Sequence, residues 1–316
     1  MNTTKSRNSY HSGKDQPPVS PEVGQRLMRI ATYASVAIAS SLVVLKLLAW
    51  LLSDSMAILS SLIDSGLDTV ASLLTLVAVS HALIPADREH RFGHGKAEAL
   101  AALGQSAFIA GSALFLFFES SSRIMRPQAV EYGHLAIAVM IASVVLTLGL
   151  VRFQNYVVIR TNSIAIGADS THYKADILVN AGIIASLILT TQLNMPLADP
   201  LIAIMVSIYI MYSARKIGLT ALDALMDHEL PENDRQRIVT IVEAHAEVRG
   251  LHDLRTRTAG TQPFIQLHLE LPGEMNLNNA HIISDQVEAK ILQEFPGAEV
   301  IIHQDPEGLK EKTDDF

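Results

Sequence analysis

The sequence predicts an α-helical membrane protein of six transmembrane helices followed by a small α/β domain. Three observations carry that prediction. The chain of 316 residues is 49% hydrophobic, only 18% charged, and has a mean hydropathy of +0.28. Its apolar residues fall into long runs. After about residue 217 the composition turns into that of a soluble domain. The net charge of -8 argues against a nucleic-acid-binding surface. The absence of cysteine excludes disulfide scaffolds, thiolate metal sites and thiol nucleophiles.

Residues 1–25 are polar and read as a disordered cytoplasmic tail rather than a signal peptide. The apolar runs then begin. Residues 30–53 hold one charge, Lys46, and residues 56–84 hold two, Asp64 and Asp68. Residues 99–118 and 135–151 hold none. Residues 177–198 are uncharged, in a helix predicted to start near Ile166, and residues 200–214 are uncharged again. A span needs about 20 apolar residues, which gives six spans over 26–216. An even number puts both termini on one side. Lys5, Arg7, Lys14, Arg26 and Arg29, then Arg88, Arg91 and Lys96, then Arg152 and Arg160, and finally Arg215 and Lys216 mark that side as cytoplasmic. Only Arg123 and Arg126 lie opposite. The expectation is a multi-pass integral membrane protein with both termini in the cytoplasm.

The segment 217–306 reads as αββαβ. A helix is expected over 232–247, with Ile238, Ile241, Val242 and His245 on one face, and strands over 251–258 and 263–271. In the second strand Phe264, Gln266, His268 and Glu270 point one way and Ile265, Leu267 and Leu269 the other. A helix over 278–294 and a strand over 298–304 complete a sandwich similar to a truncated ferredoxin-like, metallochaperone-like fold. Residues 307–316 read as a loose tail.

Charges inside spans cost at least about 2.5–3.5 kcal/mol on insertion scales and are functional candidates. Asp64 and Asp68 share a helix face, and His172 and Asp176 repeat the i, i+4 spacing on the fifth span. At about 1.5 Å per residue, the first pair sits about 12 and 18 Å from the outer end of its span. The second sits about 9 and 15 Å from the inner end of its own. Both pairs fall near the midplane, where three carboxylates and one imidazole suit a divalent cation such as Zn2+. Pairing elsewhere, or lining a water cavity, is the plainer alternative. Asp169 is read as a helix cap or an ion guide, and Lys46 as pairing with a carboxylate or snorkelling. Asp87, His90 and His94, in the connection between the second and third spans, have spacing compatible with one cation, with Gly93 and Gly95 forming a tight turn. Solvated loop histidines are the alternative. His252, His268, His281 and His303 lie in the soluble segment, with Asp305 two residues after His303. Periodicity leaves open whether they converge or are scattered.

Six segments carry a resemblance to the cation diffusion facilitator family, closest to its bacterial zinc and ferrous-iron efflux branch. They are Leu62 to Asp68, Pro85 to Glu98, Ala168 to Asp176, His252 to Arg257, Phe264 to Glu270 and Val300 to Pro306. The similarity runs from about Ala31 to Pro306. It implies a transport site of Asp64, Asp68, His172 and Asp176, and a loop site of Asp87, His90 and His94. It implies a cytoplasmic binuclear site of His252, His268, His281, His303 and Asp305 near a homodimer interface. It also implies a charge interlock between Lys96 and Asp227. The role of Asp54 stays open. The resemblance implies efflux of Zn2+, with Fe2+, Cd2+, Mn2+ and Co2+ as further substrates. Exchange for protons follows from site chemistry, because carboxylates crowded in low dielectric hold protons that a metal must displace. His172, the one transport ligand that ordinarily titrates near neutrality, is the expected proton carrier. A proton-independent channel and a membrane-anchored metal sensor are the rival readings. No HExxH motif supports an enzyme.

Overall fold

A computed structural model of the chain describes residues 20–53, 56–125, 134–193, 195 and 197–308. Residues 1–19 of the expected tail, Asp54, Arg126 and the residues after Gly308 lie outside the described residues. The chain forms two compact units, Glu22–Leu222 and a second that takes in Asp223 onward.

The first unit is helical: α1 (Pro21–Ser53), α2 (Met56–Ala82), α3 (Lys96–Met125), α4 (His134–Thr161), α5 (Ile164–Leu193) and α6 (Ala198–Leu225). Helix α1 begins inside the segment read as tail. Pro21 takes the first helical position, where its missing N–H is harmless, and Glu22 complements the helix dipole. Among the described residues, five helices are long and apolar enough to cross a membrane by length and composition. Helix α5, 30 residues long, carries Asp169, Lys174 and Asp176 in its first half. It packs on α4, α3 and α2. Where it meets α3 and α6, small residues allow close approach, with Ala102, Ala113, Ala168, Ala214 and Ala221 all buried.

The start of α5 is fixed by a residue of α3. Glu98, 2% exposed, accepts hydrogen bonds from the Ser163 hydroxyl and from the backbone N–H groups of Ile164 and Ala165. A carboxylate there satisfies the orphan donors of the first turn and faces the positive end of the dipole. Ser72 on α2 and Tyr173 on α5 are linked at 2.6 Å. These bonds set the register of α5 against its neighbours.

The second unit contains α7 (Glu232–Glu243), β1 (Gly250–Ala259), β2 (Gln262–Leu271), α8 (Leu277–Glu294) and β3 (Glu299–Pro306), which is the expected αββαβ order. Helix α7 stops short of the expected residue 247. A turn takes over there, in which His245 N–H donates to Val242 and Val248 N–H donates to His245. Strands β1 and β2 pair antiparallel through a hairpin whose Gly260 has φ 62°, a conformation that side chains disfavour. Strand β3 pairs parallel to β2, giving the order β1-β2-β3. Ile265, Leu267, Leu269 and Leu271 form the inner face of the sheet, against Ile238 and Val242 of α7 and Ile283, Val287 and Ile291 of α8. The helices cover that face only. His268 and Glu270 are left on the other, as the alternation in β2 requires.

Leu267→Ala should destabilise this second unit by about 2–5 kcal/mol, because Leu267 is fully buried at the centre of the sheet. Hydrogen exchange on the full-length protein should show protection falling across β1–β3 and α8 while that of α2 and α5 is retained.

Candidate metal centres

Three groups of metal-ligating side chains converge among the described residues: Asp68, His172 and Asp176; Asp87, His90 and His94; and His252, His268 and Asp305. In each group the ligand atoms lie within 4.8 Å of one another. A tetrahedral ion with bonds of about 2.0–2.2 Å holds its ligand atoms about 3.3–3.6 Å apart, which gives a geometric test.

The first group is built by α2 and α5. His172 Nε2 is 3.0 Å from Asp68 Oδ1 and 3.9 Å from Asp176 Oδ2, distances that bracket the tetrahedral value. His172 is buried, its ring edge-on to Phe108 at 5.8 Å and beside Tyr173 at 5.6 Å. Asp64, one turn from Asp68 on the same helix, is exposed and lies outside the converging set. Lys46, expected to pair with a carboxylate or snorkel, is buried. It donates instead to the Ser65 hydroxyl at 2.6 Å and the Ser61 carbonyl at 3.1 Å. Both acceptors belong to the α2 turns that carry Asp64 and Asp68, so Lys46 sets the position of that stretch.

The second group sits in the turn between α2 and α3. Asp87 Oδ1 accepts from the backbone N–H of His90 at 2.6 Å and of Glu89 at 2.9 Å. The chain reverses at Gly93, whose φ of 74° bears out the tight turn. His94 is buried and its Nδ1 faces the Ile84 carbonyl at 3.3 Å. That contact directs Nε2 to Asp87 Oδ2, 3.3 Å away, while His90 Nδ1 is 3.4 Å from Asp87 Oδ1. A backbone partner on one imidazole nitrogen leaves the other free as a ligand. His81, at the end of α2, stands edge-on to His94 with ring centroids 4.7 Å apart; the motif reading passed over it.

The third group follows from strand register. His252 pairs with His268 across β1 and β2, and His268 pairs with His303 across β2 and β3, so the three imidazoles form one row. Ring centroids are 5.0 and 4.7 Å apart along it. The next row sets Glu270 beside Asp305. Asp305, buried, places Oδ2 at 2.8 Å from His268 Nδ1 and 3.6 Å from His252 Nε2, and Oδ1 at 3.3 Å from His303 Nε2. Its two oxygens thus serve different histidines.

Two carboxylates here were not singled out as site residues. Glu270 Oε1 lies 2.9 Å from His252 Nδ1, and Asp253 Oδ2 lies 3.8 Å from His268 Nε2. Asp253 occupies a left-handed position, φ 47°, at the β-bulge between His252 and Arg255, which aims it at the row. Alternation marked the face of Glu270, but nothing local marked the bulge. His281, on α8, stands apart: it is 69% exposed and 3.6 Å from Asp285. Lys96 opens α3, while Asp227, with φ 58°, accepts from Arg257 at 3.4 Å.

The hydrogen bonds from the His90 and Glu89 N–H groups hold the Asp87 carboxyl below its ordinary value of about 3.9. A depressed folded-state value means that this turn gains stability above the ordinary value and loses it as pH falls through the lowered one. The amide exchange rate of His90, corrected for intrinsic pH dependence, should therefore rise at acid pH in the wild type. In Asp87→Asn the acid-dependent rise should be absent.

A sequence model described as the cation efflux transmembrane domain matches residues 32–226, and one described as the cytoplasmic domain of cation efflux proteins matches residues 230–307. The chain is 47% identical over 284 residues to the cation-efflux pump FieF of Klebsiella pneumoniae subsp. pneumoniae, covering 90% of this chain and 94% of that one. It is 47% identical over 286 residues to the FieF of Shewanella oneidensis, covering 90% and 96%. A solved structure described as the zinc form of a putative zinc transporter, CzrB, aligns at 33% identity with 27% of this chain and 99% of its own, with a TM-score of 0.26. With both domain models matched in order along the chain, and relatives nearly half identical over nine-tenths of it, the protein is a member of the cation efflux, or cation diffusion facilitator, family.

Proposed function

We propose that the protein is a homodimeric Zn2+/H+ antiporter of a bacterial inner membrane, with both termini in the cytoplasm. The observation that carries this reading is the convergence of Asp68, His172 and Asp176 from two helices of the membrane unit. Their mixed oxygen and nitrogen donors suit Zn2+ and Cd2+, and also Fe2+, Mn2+ and Co2+ at lower preference. Asp64 joins them as a fourth ligand through a small rotation of α2, since it lies one turn away on the same face.

The transport step follows from the donors. With no cation present, two or three carboxylates in a low dielectric retain protons, and His172 takes one readily. A divalent ion binds only the deprotonated set, so metal and protons compete for the same atoms. Exposure of those atoms to one side and then the other exchanges metal for protons, and an inward proton gradient drives the metal out. Asp87, His90 and His94 form a loop site. His252, His268, His303 and Asp305, with His281 recruited from α8, form a regulatory binuclear site in the cytoplasmic domain. There Glu270 orients His252 as a ligand's carboxylate partner does. A metal at that site supplies cross-links between strands and, at the dimer interface, between subunits.

In sealed vesicles with reconstituted protein and an imposed pH gradient, zinc should move against protons. Zinc flux with no proton counter-movement would identify a channel, and no flux at all a sensor. Asp68→Ala should abolish zinc flux while the protein elutes as the same folded dimer. Normal flux by that variant would remove the transport assignment.

His172→Asp replaces the nitrogen donor by oxygen. Competition assays should show preference moving from Zn2+ toward harder ions such as Mn2+, by about tenfold or more in relative transport rate. An unchanged order of preference would mean that His172 does not set selectivity.

A further inference from the structure

Six residues into α5 lies a carboxylate for which the metal centre has no use. Asp169 is 1% exposed, with Ser35 of α1 at 1% and Gln154 of α4 at 0%. Asp169 Oδ2 accepts from the Ser35 hydroxyl at 2.8 Å and from Gln154 Nε2 at 2.7 Å, and the same amide donates to Ser35 Oγ at 2.9 Å. Three helices therefore meet at one polar knot. No Lys or Arg pairs with Asp169 among the described residues.

The knot is short of donors. Neither Asp169 Oδ1 nor Gln154 Oε1 receives a hydrogen bond, although both are buried. Leaving such a group unsatisfied costs about 1–3 kcal/mol, and more where the group is charged. Both unsatisfied atoms are oxygens, so what they lack is hydrogen. One proton on the carboxyl supplies a donor and removes a buried charge at the same time.

The ionisable groups whose fields reach Asp169 are His172 and Tyr173 on its own helix and Asp68 on α2; α1 and α4 offer the neutral Ser35 and Gln154. Two of those groups, His172 and Asp68, belong to the converging set described above. His172 follows Asp169 by three residues, about 4.5 Å along the helix axis, while the hydrogen-bond partners of Asp169 are Ser35 and Gln154. A divalent cation at the centre thus acts on Asp169 through its field, without competing for its oxygens.

We propose that Asp169 is a proton-carrying residue of the transport cycle, distinct from the metal-binding carboxylates. Its carboxyl is protonated while the transport centre is empty. When a divalent cation binds at Asp68, His172 and Asp176, the O–H bond breaks. The proton leaves as H+ to the water on the side from which the metal entered, and the carboxylate stays behind to balance part of the added charge. Nothing is oxidised or reduced. This assignment rests on the antiport reading of the same centre.

The test uses full-length protein in weakly buffered detergent, titrated with Zn2+ against a pH indicator, for wild type, Asp169→Asn and Asp169→Glu. The asparagine mimics the protonated carboxyl in shape and hydrogen bonding. It should release about one proton fewer per zinc and, lacking the balancing charge, bind zinc about tenfold more weakly at neutral pH, with the difference closing at acid pH where the wild-type carboxyl stays protonated; the glutamate should restore both. Infrared difference spectra on adding zinc should show a protonated-carboxyl band lost in the wild type and missing from Asp169→Asn. If the asparagine variant fails to fold, Asp169→Ser, which is also neutral, takes its place. Equal proton counts and equal spectra in wild type and the neutral variant would overturn the proposal. So would a loss of zinc affinity that persists undiminished at acid pH, which would make Asp169 part of the metal centre. Zinc-driven proton movement in wild-type vesicles separates the two readings. Its absence defeats antiport itself, whereas its presence, with an unaltered neutral variant, defeats only the role of Asp169.

Discussion

An ionisable side chain in a membrane-spanning helix has to be neutral, hydrogen-bonded, paired or bound to an ion. The membrane unit is arranged around that requirement. Helix α5 carries Asp169, His172, Lys174 and Asp176 within eight residues, and no single partner helix can answer all of them. Packing against α4, α3 and α2 is what allows it to exist. Asp169 is met by Ser35 and Gln154, Lys174 by Asn155 at 2.8 Å, and His172 by Asp68. Hydroxyl and amide groups at these contacts serve as partners where lipid would offer none. The Glu98 cap belongs to the same scheme, since it satisfies the first N–H groups of the helix in a buried position.

The soluble unit solves a different problem. Its apolar face is closed by α7 and α8, and the helices leave the opposite face bare. A row of three histidines can form there because β1, β2 and β3 bring His252, His268 and His303 into direct register. Opposed residues on neighbouring strands stand about 4.5–5.5 Å apart at Cβ, so imidazoles in one row are within reach of common ligands. A one-residue slip of β3 would send His303 to the covered face and carry Asp305 with it. The burial of Ile302 against the core, one residue from His303, opposes that slip.

Much of this was legible in the sequence. Long apolar runs give the helices, and alternation in β2 separates Leu267 from His268. The i, i+4 spacing of His172 and Asp176 places both on one face. What was not legible depends on contacts between segments far apart in the chain. Register between β2 and β3 is set across α8, so spacing alone does not bring His268 and His303 together. Lys46 was expected to seek a carboxylate or the interface. Its actual partners, the Ser61 carbonyl and the Ser65 hydroxyl, are visible only once α1 and α2 are packed. The turn at Gly93 was read from its glycines, but the second contact of His94, to the Ile84 carbonyl, needed the fold. Asp169 illustrates the same limit. Its spacing matched a cap or an ion guide equally well, and only the approach of α1 and α4 reveals which atoms surround it.

The two kinds of centre also differ in what holds their ligands. In the soluble unit, His252, His268, His303 and Asp305 stand on strands paired by backbone hydrogen bonds, with a bulge following His252, so their spacing changes only if that pairing breaks. A site of that kind favours stable retention of an ion. Asp68 belongs to α2, whereas His172 and Asp176 belong to α5, and side-chain contacts are what join the two helices. Small shears between packed helices need no backbone bond to break. Such a shear would lengthen the His172–Asp68 contact and loosen the set. A transport ligand set of the kind proposed has to release its ion as readily as it takes it up, and a site divided between two helices meets that demand where one built into a single ladder would not.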